Sequence, residues 1–135
     1  IVHKVVLNVT TGDYKTFEKS VLSGIPAHKT YFENKMEELE VAVIIHGDAY
    51  KYFVKNPAST KYKNEALLLK TREVMEKRLQ GLNRDYHVEF LMCGVGMKKN
   101  DISEKDIYPF VTPIANATVG LIEKQNAGYA YIPVH

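Results

Sequence analysis

Apolar and polar positions along the chain alternate between two periods. Val5 to Val9 is a short β-branched run with one polar interruption, ended by the turn and capping residues Thr10-Thr11-Gly12-Asp13, and reads as a strand. From Asp13 to about Met36 the period changes to that of a helix, with Tyr14, Phe17 and Val21 at spacings of three and four. Gly24 and Pro26 are expected to divide it into two pieces.

Val41-Ala42-Val43-Ile44-Ile45 carries no polar alternation, the pattern of a strand covered on both faces. Ala49 to Val54 reads as a short aromatic helix and Lys55 to Lys63 as a loop. Glu65 to Leu82 is the clearest helix: Leu68, Met75, Leu79 and Leu82 share a face, Glu73 and Lys77 are spaced to pair, and Gly81 lies near its end. Val88 to Cys93 is a third strand, followed by a short helical segment ending near Asn100 and a polar connection from Asp101 to Pro109. Phe110 to Ile114 is a fourth strand, Asn116 caps a helix to about Asn126 with Gly128 as its stop, and Tyr129 to Ile132 is the last strand.

Strands alternating with helices predict a parallel sheet with helices on both faces. Ligands of such sheets bind beyond the carboxyl ends of the strands. Four such ends share one rim: Thr10-Thr11-Gly12, His46-Gly47-Asp48, Cys93-Gly94, and the turn from Pro113 to Asn116.

Composition narrows the chemistry. The length of 135 residues suits one domain, and 45% hydrophobic with 25% charged residues is ordinary for a globular protein. A net charge of +2, with lysines interleaved among acids, lacks the basic stripe of a nucleic-acid binder. No apolar run approaches the roughly 18 residues of a membrane span. The single cysteine excludes an internal disulfide and a multi-cysteine metal cage, and the five histidines show no ligand spacing, so neither metal nor other cofactor is expected. The first residue is Ile1, which fits a processed mature chain or a trimmed tag and leaves periplasm and cytoplasm both open. Asn8-Val9-Thr10 and Asn116-Ala117-Thr118 match the glycosylation sequon, a pattern common by chance.

Cys93 is the main chemical candidate. At a strand end, ahead of a helix, a thiol faces unpaired backbone N–H groups that favour the thiolate; Gly94 and Gly96 allow close backbone approach, and Lys98 adds positive charge. The competing reading is a small apolar core residue after Phe90-Leu91-Met92. Gly94-Val95-Gly96 lacks the third glycine of a dinucleotide fingerprint and follows the third strand. His46, at a strand end, is a candidate supporting group, against a histidine satisfied by turn backbone. Thr11, Tyr50 and Asn116 are candidates for the pocket rim. Tyr50, Tyr52 and Phe53 read either as a lid or as packing on the sheet, and Tyr129 and Tyr131 could face a partner subunit if their strand is an edge.

The stretch from Val88 to Pro133 resembles the DsrE/DsrF-like family of small sulfur-relay proteins: a strand ending Met-Cys-Gly, the Met97-Lys98 continuation, the Pro109/Pro113 strand region, a helix, and Gly128-Tyr129-Ala130-Tyr131-Ile132-Pro133. The segments from Val5 to Asp13 and from Val41 to Tyr50 resemble that family's first two strands. Val95 departs from the polar residue many relatives carry. The resemblance implies a single domain over residues 1–135, a three-layer α/β/α sandwich with a five-stranded, mainly parallel sheet, assembled as a homotrimer or homohexamer. It also implies a sulfurtransferase-like carrier in which Cys93 holds a persulfide and exchanges sulfur with protein thiols, with His46, Gly94 and Lys98 in support. The rival classes are a non-catalytic oligomeric module that binds a small ligand and a scaffold subunit of a sulfur-relay complex.

Overall fold

The computed structural model describes residues 1–135. Five strands form one sheet: β1 (Val2–Val9), β2 (Glu38–Ile45), β3 (Glu89–Cys93), β4 (Val111–Ile114) and β5 (Ala130–Val134). Their order is β4-β3-β2-β1-β5, and every pairing is parallel. All five carboxyl ends therefore lie on one rim, as the alternation of periods predicts. No helix is long and apolar enough to cross a membrane.

The register sorts side chains between the two faces. Val43 and Phe90 are partners, as are Ile44 and Leu91, so neighbouring residues of β2 and β3 point to opposite layers. One layer is the helix α5 (Ala117–Asn126) alone. Gly120 of α5 presses on the sheet so closely that an added Cβ would stand 2.6 Å from Ile114 Cδ1 and 3.0 Å from Ile44 Cδ1. The other layer holds α1 (Tyr14–Phe17), α2 (Gly24–Glu33), α3 (Ala66–Tyr86) and the 3-10 turn Tyr50–Phe53. Phe53 meets Phe17 at 5.8 Å and Phe90 at 5.4 Å between ring centroids, fastening the turn to the sheet. These three rings are fully buried within one cluster of 35 core residues. Each contributes about 1.5–3 kcal/mol by burial.

Two elements differ from the periodic reading. The division at Gly24 falls where the sequence puts it, but the first piece is not a plain α-helix. It passes from α1 into a π-helical turn, Glu18–Leu22, and α2 begins at Gly24. Pro26 falls in the first turn of α2, where its missing N–H is no loss. The long helix α3 runs through Gly81 and stops at His87, whose backbone is left-handed at φ 56°. The Val88 amide donates to the Leu82 carbonyl at 3.1 Å to close this end. On the exposed side the pair that forms is Arg72 with Glu76, at 3.6 Å, rather than Glu73 with Lys77.

Since Gly81 is helical and an added Cβ there meets only Asp85 Oδ2 at 3.9 Å, Gly81→Ala is expected to stabilise the protein by about 0.5–1 kcal/mol. Chemical denaturation would show the gain as a higher midpoint with an unchanged slope.

Candidate functional site

Cys93 is the last residue of β3 and the N-cap of α4 (Gly94–Lys99). It pairs in register with Ile114, the last residue of β4, and α5 starts three residues beyond that. Two helix starts thus stand side by side at the end of β3. The residue is buried, 8% exposed, with backbone amides and a phenol around it. Burial pushes the thiol up. The backbone amides of Gly96, Ala117 and Val95, together with the Tyr50 hydroxyl, outweigh burial and hold it below the usual thiol range.

The two glycines have separate tasks. A Cβ on Gly94 would lie 2.7 Å from the Ile114 carbonyl oxygen, so only glycine lets α4 leave the sheet this close to β4. A Cβ on Gly96 would collide with the Tyr50 hydroxyl. Gly96 therefore makes the space in which that phenol reaches the cysteine. Tyr50, 1% exposed, donates to the Cys93 carbonyl oxygen at 2.7 Å. Burial, followed by the charge and hydrogen bonding of Cys93, raises its own ionisation well above the ordinary phenol, so it remains a donor. Asn116 takes its expected place as N-cap of α5, its Oδ1 accepting from the Val119 amide at 2.8 Å.

The remaining candidates lie elsewhere. His46 is half-buried at the end of β2; its Nε2–H donates to Asn8 Oδ1, and Asn8 Nδ2 donates to the Tyr131 hydroxyl at 2.9 Å. Burial lowers the pKa of His46, favouring the neutral ring. Its hydrogen bond runs toward β1 and β5, away from Cys93. Lys98 is exposed in the last turn of α4, and the groups acting on the thiol are amides and a phenol rather than lysines. Thr11 is buried beside a polar cleft of about 780 Å³ at the ends of β1 and β2, lined also by Asp48, Lys51 and Tyr62. Cys93, Tyr50 and Asn116 do not line that cleft. The rim thus divides into a thiol site at β3 and β4 and an open cleft at β1 and β2.

The amide of Ala117 is the contribution that residue patterns do not reveal. Nothing local to Ala117 marks it; the β3–β4 pairing places it. Tyr50 was legible as a rim residue; Gly96, read in the sequence as room for the backbone, instead makes room for the Tyr50 ring.

The fold is an α/β sandwich on a five-stranded parallel sheet, with a cysteine at the end of its third strand. The chain belongs to the DsrE/DsrF-like family, whose profile matches residues 4–134. Among solved structures, a protein of unknown function from Methanobacterium thermoautotrophicum aligns over 97% of this chain and 98% of its own, with a TM-score of 0.67 at 16% identity, a likeness of fold. An uncharacterized protein of Aquifex aeolicus (strain VF5) is 34% identical over 61 residues, which are 45% of this chain and 26% of that protein. The chain thus spans about a quarter of the length of that relative.

Two outcomes are expected. Gly96→Ala must expel the Tyr50 hydroxyl, costing about 1–3 kcal/mol and lowering Tm in a thermal melt. The second outcome concerns pH. The folded thiol ionises at lower pH than the unfolded one, so between those two pKa values the unfolded chain binds more protons. Stability owed to Cys93 is complete above the unfolded value of about 8.5 and is lost as pH falls through the folded value. The stability difference between wild type and Cys93→Ser should therefore widen as pH rises toward 8.5, measured by denaturation at several pH values.

Proposed function

We propose that the protein is a sulfur carrier that uses the Cys93 thiolate to accept sulfane sulfur and pass it on. The observation that carries this reading is the placement of a buried thiol at the end of β3, beside the starts of α4 and α5, where the Gly96, Ala117 and Val95 amides and the Tyr50 hydroxyl hold it below the usual thiol range. Membership of the DsrE/DsrF-like family supports it.

The chemistry is two displacements at sulfur. The Cys93 thiolate attacks the outer sulfur of a persulfide donor, R–S–SH. The Cys93 Sγ–S bond forms, the donor S–S bond breaks, and its electron pair leaves with R–S⁻. The proton stays on the transferred sulfur. An acceptor thiolate then attacks the outer sulfur of the Cys93 persulfide, and the Cys93 thiolate leaves. Neither step needs an external oxidant or reductant. The amides and Tyr50 act twice: they raise the thiolate fraction for the first attack and stabilise Cys93 as leaving group in the second. With one cysteine in the chain, the persulfide has no internal thiol to resolve it, so delivery is intermolecular.

The carrier acts as a homo-oligomer, a trimer or hexamer. α5 alone covers one sheet face and leaves Val119 and Ile122 41% and 51% exposed, while edge strand β5 exposes Tyr131 and Ile132. Burying such side chains between copies is the ordinary use of apolar surface of this kind.

Incubation with glutathione persulfide is expected to add one sulfur atom to the protein, seen by intact mass and removed by dithiothreitol. Cys93→Ser should load nothing. A serine hydroxyl can accept from the same amides, so its melting temperature at pH 7 should stay within a few degrees of wild type. A wild type that takes up no sulfur would remove the carrier reading. Light scattering at micromolar protein should give a mass above that of one chain; a monomer would remove the oligomer.

A further inference from the structure

Between helix α2 and the β1–β5 side of the sheet runs a groove of about 790 Å³. Its floor follows from the register: Val5 and Leu7 share one face of β1, and their partners Ala130 and Ile132 on β5 extend that face to the edge. The buried Ile25 of α2 lines the groove from above. At one end His3 stacks on Phe32 with ring centroids 4.2 Å apart. From Phe32 the helix runs back to Gly24, so the groove extends about 12 Å along it at 1.5 Å per residue. An added Cβ on Gly24 would stand 2.7 Å from the Lys19 carbonyl oxygen and 3.9 Å from His28 Cε1, so Lys19 and His28 flank this second end.

Charge defines what the groove can take. The 18 residues that line it include two lysines and two histidines and not one acid, in a chain with 18 basic residues and 16 acids. The positive bias is therefore local. His3 and Lys4 are already engaged, His3 with Glu37 at 2.8 Å and Lys4 with the Ala127 carbonyl at 3.4 Å. Glu18, next to Lys19 in the chain, is turned to Arg78 at 3.7 Å and to the Ser23 hydroxyl at 2.7 Å. Lys19 and His28 stay exposed, with no carboxylate partner. One ammonium and one imidazole N–H, present in either tautomer, supply two donors with a single full charge, the complement of a carboxylate. We propose that this groove binds a small amphiphile, a monocarboxylate with an unbranched apolar chain, its head on Lys19 and His28 and its chain along Val5, Leu7 and Ile25. The volume is within the range of small-molecule pockets. Cys93 does not line the groove, so the proposal does not depend on the carrier reading. Tyr131 alternates with Ala130 and Ile132 and lies on the α5 side of the sheet, so an assembly built on that side leaves the groove open.

The test uses three probes with one chain and different heads: sodium octanoate, 1-octanol and octylammonium. Each is titrated into the full chain while the methyl resonances of Leu7, Ile25 and Ile132 are followed. Octanoate is expected to bind about fivefold more tightly than 1-octanol, the share of a partly exposed ion pair, and octylammonium least tightly. Lys19→Glu should reverse the order of the two charged probes and leave 1-octanol unchanged. Lys19 is exposed, so the variant is expected to fold; should it not, Lys19→Gln takes its place and should cut the preference for octanoate. Equal affinities for octanoate and 1-octanol, a preference untouched by either substitution, or methyl shifts confined to other residues would overturn the proposal. So would the absence of shifts with every probe, the result expected if a second copy of the chain fills the groove.

Discussion

The pairing of Cys93 with Ile114 at the ends of β3 and β4 is the constraint from which the rest of the site follows. Each strand passes into a helix almost at once, so parallel pairing in this register brings the starts of α4 and α5 together. Unpaired N–H groups are unavoidable at a helix start. Here two sets of them share one direction, and the side chain between them is a thiol. Gly94 is the geometric condition, because any side chain at that position would strike the Ile114 carbonyl and force β4 away.

Around that junction the aromatic turn acts as a brace. Phe53 fixes the turn to Phe17 and Phe90 on the sheet, which lets Tyr50 extend its hydroxyl to the Cys93 carbonyl. Packing and chemistry are thus joined in four residues, Tyr50–Phe53. Burial raises the ionisation of both Tyr50 and Tyr52, but their circumstances differ. Tyr50 has an acceptor and serves the thiol. Tyr52 has none and is held by stacking on Phe17.

Much of this architecture was legible in the chain. The unbroken apolar run of Val41 to Ile45 marks a strand buried on both faces, and it is the centre of the sheet. Cys93, at the junction of an apolar run and two glycines, falls at the strand end its position predicts. The end of α3 was placed at Leu82, four residues short of Tyr86. The helix continues one more turn, to a left-handed His87 that supplies the cap. Long-range contacts were not legible. Tyr50 lies 43 residues from Cys93, and its approach depends on the tertiary packing of the turn. The partner of His46, Asn8 on β1, is fixed by sheet order, which local periodicity does not encode.

The central claim is that converging amides and a phenol overcome burial to keep Cys93 ready to react. The rate of alkylation by iodoacetamide as a function of pH measures this directly. The account predicts a midpoint below about 8.5, the value of an unperturbed thiol, and a shift of that midpoint upward in Tyr50→Phe. A wild-type midpoint at or above the unperturbed value, or a thiol that reacts only when the protein is unfolded, would contradict it and leave Cys93 as a residue of the core.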